Sequence, residues 1–420
     1  MKDTEKIINS GNNVYVVGIK GAGVAGLAQF LKGRGYKISG SDTKEKFFTD
    51  ALLKKAHIPY REGFSTKNIP HKIDWVLASN AYISKDSENP EIKALRRRKI
   101  PIFSYPEVLS YFFNKSYGIA IAGTHGKTTT SAAIAHILKT AGMRPSALIG
   151  GEVINWKSNT LTGKSNIFVI EADEYKDAFL NYRPNVIVIL NTDWDHPDYF
   201  RTHKKYLISF KKFKRNLKPG GRIFEPRNFI KIKLPANPRI AGEHNKYNLK
   251  AAVAVTKHLG VKNNIIKKAI ANFKGTQRRL EVVGKLRGNI LVDDYAHNSQ
   301  KVEASINALR DEYPNKEITV VFQPHTYTRT VQFLEEFARA LILADNIFLL
   351  DIYSSAREKK GKITSNDLMR EVIKLGKLAD NLRTVSAAVR FFKKWPRKNQ
   401  VIVAMGAGDV GALAHKLKGV

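Results

Sequence analysis

The chain has 420 residues, 43% of them apolar and 26% charged, the balance of a folded globular protein too long for one core, so two to four domains are expected. It contains no cysteine, which excludes disulfides, thiolate nucleophiles and Cys-ligated zinc. The formal net charge of +34 admits nucleic acid, a membrane surface or polyanionic small substrates, but the basic residues are scattered, with only short clusters at 96–99 (RRRK) and 211–215 (KKFKR), as on a lysine-rich solvated surface suited to anionic ligands.

The chain opens with a polar stretch, MKDTEKIINSGNN, and no run approaches the ~18 apolar residues that span a bilayer. Neither a signal peptide nor membrane insertion is expected, and the expected location is cytoplasmic. Apolar β-rich runs then recur, each ending in a motif: NVYVVGI before KGAGVAG, IDWVLA before SNAYI, YGIAIA before GTHGKT, and NIFVIE before ADEY. NVIVIL before NTDWDH, EITVVF before QPHTYTRT, NIFLLD before IYSSARE and QVIVAM before GAGDVG complete the series. Such runs, with helical patterns between them, predict strands buried on both faces of parallel sheets, with ligands beyond the carboxyl ends. The pattern breaks at NKS (114–116) and at FKGTQRRLEVVG (273–284). The expected fold class is therefore α/β in three domains: a Rossmann-like 1–115, a P-loop ATPase-like 116–279 and a Rossmann-like 280–420.

The segment Gly123-Thr124-His125-Gly126-Lys127-Thr128 is a shortened phosphate loop, with Ile121 standing where the longer pattern has its first glycine. Its mechanics survive the shortening. The glycines let successive N–H groups point inward, the following helix adds its positive end, Lys127 reaches the β/γ-phosphates and a threonine hydroxyl can ligate Mg²⁺. The segment thus predicts an ATP or GTP site. Carboxylates and a neutral imidazole for the metal are offered at neighbouring strand ends by Glu171, Asp173 and Glu174, and by Asp193, Asp195 and His196. Near the N-terminus, Gly21-x-Gly23-x-x-Gly26 followed by Asp42 fits a dinucleotide fingerprint, but its physics requires only a backbone close to a pyrophosphate, which a UDP-sugar also carries.

Taken together, GIKGAGVAGLA, SNAYISKDSENPEI, GTHGKTTT, EADEY, DWDHPDY, GEHNKYNLKAA, QRRLE, DDYAH, FQPHTYTRT and GAGD resemble, in order, the motifs of the Mur ligases, the ATP-dependent amide-forming family of peptidoglycan synthesis. The resemblance spans nearly the whole chain and is nearest to the branch that adds L-alanine. It implies UDP-N-acetylmuramate, L-alanine and ATP as substrates, Mg²⁺ as cofactor, no nucleic-acid partner, and a monomer or weak dimer. It places UDP-sugar binding at Gly21, Gly23, Gly26, Asp42 and Ser79 in 1–115. Nucleotide contacts are implied at Gly123, Thr124, His125, Gly126, Lys127, Thr128 and Thr129, at His244, Asn245 and Asn248, and at Arg279, Asp293 and Asp294. Thr128, Glu171 and His196 would ligate Mg²⁺. Tyr295, His297, His325 and Arg329 would line the amino-acid end, and Lys127, His196, His297 and Arg329 would carry the catalysis. The implied reaction passes the γ-phosphoryl group to the muramic carboxylate, and an amine then displaces phosphate.

Two positions depart from the alanine-adding pattern: Thr326 stands where an Arg follows FQPH, and HNS at 297–299 replaces HHP. EADEYKDAF also resembles the sister ligase that attaches a tripeptide during wall recycling, although FQPHTYTRT favours the alanine branch. Lys211 lies near the place where other sisters carry a carbamylated lysine. A nucleic-acid-binding ATPase would need a clustered basic face with stacking aromatics, and a dehydrogenase would leave the phosphate loop unexplained.

Overall fold

The computed structural model describes residues 2–84, 87–196, 199–235, 238, 240, 242–354 and 361–418. Parts of three motifs, at 85–86, 197–198 and 355–360, lie outside the described residues. Three sheets are present among the described residues. The first contains β1 (Asn13–Val17), β2 (Lys37–Asp42), β3 (Tyr60–Glu62), β4 (Trp75–Ala78) and β5 (Ile102–Ser104), in the order β3-β2-β1-β4-β5 and all parallel. The second contains β6 (Tyr117–Ala122), β7 (Ser146–Val153), β8 (Ser158–Leu161), β9 (Ile167–Glu171), β10 (Val186–Ile189) and β11 (Arg222–Phe224), in the order β11-β10-β6-β9-β7-β8. The third contains β12 (Glu281–Leu286), β13 (Asn289–Asp294), β14 (Glu317–Phe322), β15 (Asn346–Leu350), β16 (Ala379–Arg383) and β17 (Gln400–Met405), in the order β12-β13-β17-β14-β15-β16. Pairing is parallel except for the β7–β8 and β12–β13 edge hairpins. Strand order reverses beside β1, β6 and β13/β17, so each sheet has a crevice at the carboxyl ends of its inner strands.

The apolar runs form the inner strands because their residues are buried on both faces: VVGI, IAIA, VIVI and QVIVAM have side chains almost wholly removed from water. Two compact units result, Met1–Asn237 with Tyr247–Lys274, and Pro238–Lys246 with Gly275–Val420. Within the first unit the first two sheets share one apolar core. Phe30, on the helix Ala22–Gly33, stacks on Phe168 of β9 with ring centroids 4.9 Å apart, and Phe113 meets Tyr182 at 5.5 Å. Polar contacts reinforce the joint: Asn159 Nδ2 donates to Ala22 O at 2.9 Å, and Thr160 Oγ1 donates to Gly26 O at 3.1 Å. A Cβ on Gly26 would sit 3.1 Å from both side chains, so this glycine serves close packing of β8 on the helix. No described helix is long and apolar enough to cross a membrane.

Candidate functional site

β6 runs directly into the phosphate loop, and the helix Lys127–Thr140 starts at its end. Gly126 adopts φ 82°, and a Cβ there would lie 2.2 Å from Asn248 Oδ1, so only glycine permits the loop to turn beneath the helix Glu243–His258. Lys127 folds back over the loop, with Nζ 2.5 Å from Gly123 O and 2.8 and 3.2 Å from the two oxygens of Glu174. Burial alone would lower its pKa, but Glu174, Asp173 and Glu171 outweigh burial and raise it, so the ammonium stays charged.

The strands flanking β6 bring the acids in. Thr128 Oγ1 donates to Glu171 Oε2 at 3.1 Å, and the other oxygen of Glu171 accepts from Gly150 N at 2.5 Å. His196 is held in the left-handed region at φ 54°, with its ring 4.7 Å from that of Tyr175 and Nε2 3.8 Å from Glu174 Oε1. Ligand atoms of Asp173, Glu174 and His196 lie within 4.8 Å of one another, a geometry able to hold a cation. Of the three expected metal ligands, then, Thr128 and Glu171 pair directly, while His196 groups with Asp173 and Glu174. His125 is pinned through its backbone: its N–H donates to Asn191 Oδ1 at 3.0 Å and its carbonyl accepts from Asn191 Nδ2 at 3.2 Å. Thr129 is buried in the first turn of the helix and Asn248 is buried against Gly126. Lys211 is on the exposed side of the helix His203–Arg215.

In the first sheet, Gly21, Gly23 and Gly26 begin and line the helix after β1, and Ser79 follows β4 across the reversal in strand order. Asp42 is only 4% exposed, and its carboxylate accepts from Lys20 N at 2.6 Å and Thr43 N at 2.7 Å. It therefore shapes the turn and offers no free carboxylate. Lys20, which the fingerprint does not single out, is the most enclosed cation here. Its Nζ donates to the carbonyls of Thr43 and Glu45 and pairs with Asp50 at 3.2 Å and Glu62 at 2.9 Å.

In the second unit, Asp293 and Asp294 end β13 but do different things. Asp294 is consumed by the N–H groups of Leu280 (2.8 Å) and Ala296 (2.6 Å), whereas Asp293 lies 3.3 Å from Arg278 Nε and 3.8 Å from His415 Nε2. Arg278, the neighbour of the expected Arg279, thus takes the ion pair, and Arg279 lies over the Tyr295 ring at 5.4 Å. QRRLE cannot say which of two adjacent arginines turns inward, because that depends on the twist of the chain into β12. His244 and Asn245 lie in the first turn of the helix Glu243–His258, His244 exposed and Asn245 buried. His297 and His325 approach with ring centroids 6.3 Å apart, and His297 Nδ1 is 2.8 Å from Tyr295 O. Removal from solvent, with Lys301 and Arg329 adding repulsion, holds the His297 imidazole well below its usual pKa. Thr326 occupies φ 69°, ψ 140° and leaves the N-terminus of the helix Tyr327–Gln332 without a side-chain cap. The departure at Asn298 has a local reason: its Oδ1 accepts from Lys301 N at 2.9 Å and caps the helix Ser299–Glu312.

Three family models match the chain in order: the Mur ligase catalytic domain over 13–117, the Mur ligase middle domain over 121–228 and the Mur ligase glutamate ligase domain over 278–408. The chain belongs to the Mur ligase family. This Mur ligase is 32% identical over 449 residues to the UDP-N-acetylmuramate–L-alanine ligase of Desulfitobacterium hafniense (strain Y51), covering 96% of this chain and 99% of that one. It is 34% identical over 439 residues to the enzyme of the same name from Levilactobacillus brevis, covering 94% of each. The solved UDP-N-acetylmuramate–alanine ligase of Thermotoga maritima superposes with a TM-score of 0.80 at 24% identity, over 96% of this chain and 98% of that one. A murein peptide ligase of Psychrobacter arcticus superposes with a TM-score of 0.71 at 21% identity, over 98% and 99%. The family's ligases are ATP-dependent, and the family is that of peptidoglycan precursor synthesis.

Proposed function

We propose that this Mur ligase joins L-alanine to UDP-N-acetylmuramate with cleavage of ATP. The observation that carries the reading is the cluster where β6, β9 and β10 end: a glycine loop, the part-buried Lys127, the Thr128–Glu171 pair and the Asp173–Glu174–His196 group. The names of the relatives at about a third identity over nearly full length support the choice of substrates. On this reading 1–115 binds the UDP-sugar through Gly21, Gly23, Gly26 and Ser79, with Asp42 shaping the loop, and 116–279 binds ATP through 123–129. Arg279, at the junction with 280–420, is the cation left for phosphate, and in 280–420 His297, His325 and Arg329 serve the amino acid.

A hydroxyl, a carboxylate and an imidazole at Thr128, Glu171 and His196, beside two further carboxylates, suit Mg²⁺. When bound, the ion would neutralise charge on the transferring phosphoryl group. Lys127 places a point charge against the β/γ-phosphates. The muramic carboxylate attacks the γ-phosphorus and ADP leaves, giving an acyl phosphate, because a bare carboxylate is a poor electrophile. The amine then adds to the acyl carbon, and the tetrahedral intermediate collapses with loss of phosphate. His297 donates Nδ1–H to Tyr295 O and stays neutral, so Nε2 can accept a hydrogen bond from the amine while Arg329 meets its carboxylate. Positioning and charge neutralisation do most of the work, as in phosphoryl transfer generally. The setting is cytoplasmic and the protein a monomer or weak dimer.

Phosphate release from ATP by the full chain, with UDP-N-acetylmuramate present and L-Ala, L-Ser, Gly and the tripeptide compared, tests this. Release should depend on the sugar nucleotide and be fastest with L-Ala; faster release with the tripeptide would move the reading to the recycling ligase. Lys127→Ala should lower the rate by about 10²-fold or more, and a rate near the parent's would remove the loop from the reaction.

A further inference from the structure

Glu174 is wholly buried, and the cation that neutralises it is Lys127. The three N–H donors of Lys127 are already committed, one to Gly123 O and two to the Glu174 oxygens. A phosphate oxygen can gain a donor only by drawing Lys127 away from that carboxylate, and a buried carboxylate stripped of its cation is strongly disfavoured unless another donor covers it.

One such donor is in place. Tyr206, fully buried on the helix His203–Arg215, has its hydroxyl 2.7 Å from Thr124 Oγ1 and 3.2 Å from Glu174 Oε1. Thr124 spends its own hydroxyl proton on Asp193 O, so its oxygen accepts from Tyr206. A single phenolic proton therefore faces two acceptors, one in the phosphate loop and one on the carboxylate that Lys127 must leave. We propose that Tyr206 is a switching donor: its hydroxyl serves Thr124 while Lys127 holds Glu174, and turns to Glu174 when Lys127 moves to a phosphate. The proposal rests on the ATP reading of the loop and makes Tyr206 a positioning residue that acts through Glu174.

The switch affects the bound state more than the free one. Without nucleotide, the phenol makes a neutral hydrogen bond; with nucleotide, it makes a charge-assisted one, which is roughly twice as strong. Tyr206→Phe should therefore weaken binding of Mg²⁺–ATP to the full chain about tenfold by calorimetry. The decisive comparison is the same substitution in a Glu174→Gln background, where no charge is stranded: there the loss should shrink to within about twofold. A folded Tyr206→Phe protein that binds ATP as the parent does, or equal losses in both backgrounds, would overturn the proposal. A purely structural role would lower the melting temperature with equal losses in both. Should Tyr206→Phe fail to fold, Glu174→Gln alone decides, measured with ATP in the absence of Mg²⁺ because Glu174 also stands in the cation group: metal-free ATP should bind at least as tightly as to the parent, and weaker binding would overturn the switch. A parent that binds no ATP would instead sink the nucleotide reading itself.

Discussion

Replacing His136 by glutamine should change how the stability of this ligase depends on pH. His136 lies in the helix Lys127–Thr140, 9% exposed, with its ring 5.5 Å from that of Phe273 and 6.4 Å from that of Trp156. Its Nε2 has no hydrogen-bond partner among the described residues, so a second proton would be stranded there. Burial, aided by Lys139 and opposed by a hydrogen bond to the Ala269 backbone, lowers its pKa from 6.5 to about 4. Below pH 6.5 the unfolded chain binds the proton that the folded one refuses. The stabilisation is thus complete above 6.5 and is lost as pH falls toward 4. Two and a half units at 1.36 kcal/mol each make a full loss of about 3.4 kcal/mol, of which about 1.3 kcal/mol falls between about pH 7.5 and about pH 5.5. Chemical denaturation followed by tryptophan fluorescence at those two pH values checks it. The parent should lose about 1.3 kcal/mol more than His136→Gln on acidification. Equal losses would refute the reasoning, because every other titrating group is shared by the two proteins.

Gly126→Ala should lower both the melting temperature and ATP affinity, since a Cβ would meet Asn248 Oδ1 at 2.2 Å and the left-handed φ alone costs about 1–2 kcal/mol; unchanged melting and affinity would count against the loop geometry. Thr326→Gly should stabilise the protein by up to about 1 kcal/mol, because a β-branched residue at φ 69° is strained and glycine is not; a lower melting temperature would contradict this. Lys20→Met should destabilise the protein by about 3 kcal/mol and weaken UDP-sugar binding, since the carbonyls of Thr43 and Glu45 and the carboxylates of Asp50 and Glu62 lose their shared cation. Thermal melts and calorimetry with UDP-N-acetylmuramate measure both effects, and wild-type values in each would show that the cage does not hold the loop.

Eight inner strands were legible in the sequence because burial on both faces leaves no polar alternation: the apolar runs coincide with β1, β4, β6, β9, β10, β14, β15 and β17, whereas the inner strands β2, β7 and β13, which carry glycine or polar residues, match none of them. The edge strands were not. YRE of β3 and ADNLR of β16 are largely exposed, and β8 is polar, so nothing in their composition separates them from loops. The same division holds at the site. Glycines and a lysine between strand and helix announce a phosphate loop by mechanics that are local in sequence, and strand-end acids follow from the parallel topology. Pairings set by long-range approach were hidden. The sequence does not say that Lys127 would choose Glu174, that Arg278 rather than Arg279 would bind Asp293, or that Tyr206, 82 residues from Thr124, would reach it.

The apolar core common to the first two sheets bears on how such a chain can be inherited. With Phe30 stacked on Phe168 and Thr160 fitted against Gly26, the first 115 residues are not an exchangeable cassette, although their sheet is complete in itself. A chimera that took this segment from a distant relative would place foreign side chains across the apolar seam that the first two sheets share. Substitutions at 30, 113, 160 and 168 should therefore drift together, and recombination within the first unit should survive only between parents that already share that seam.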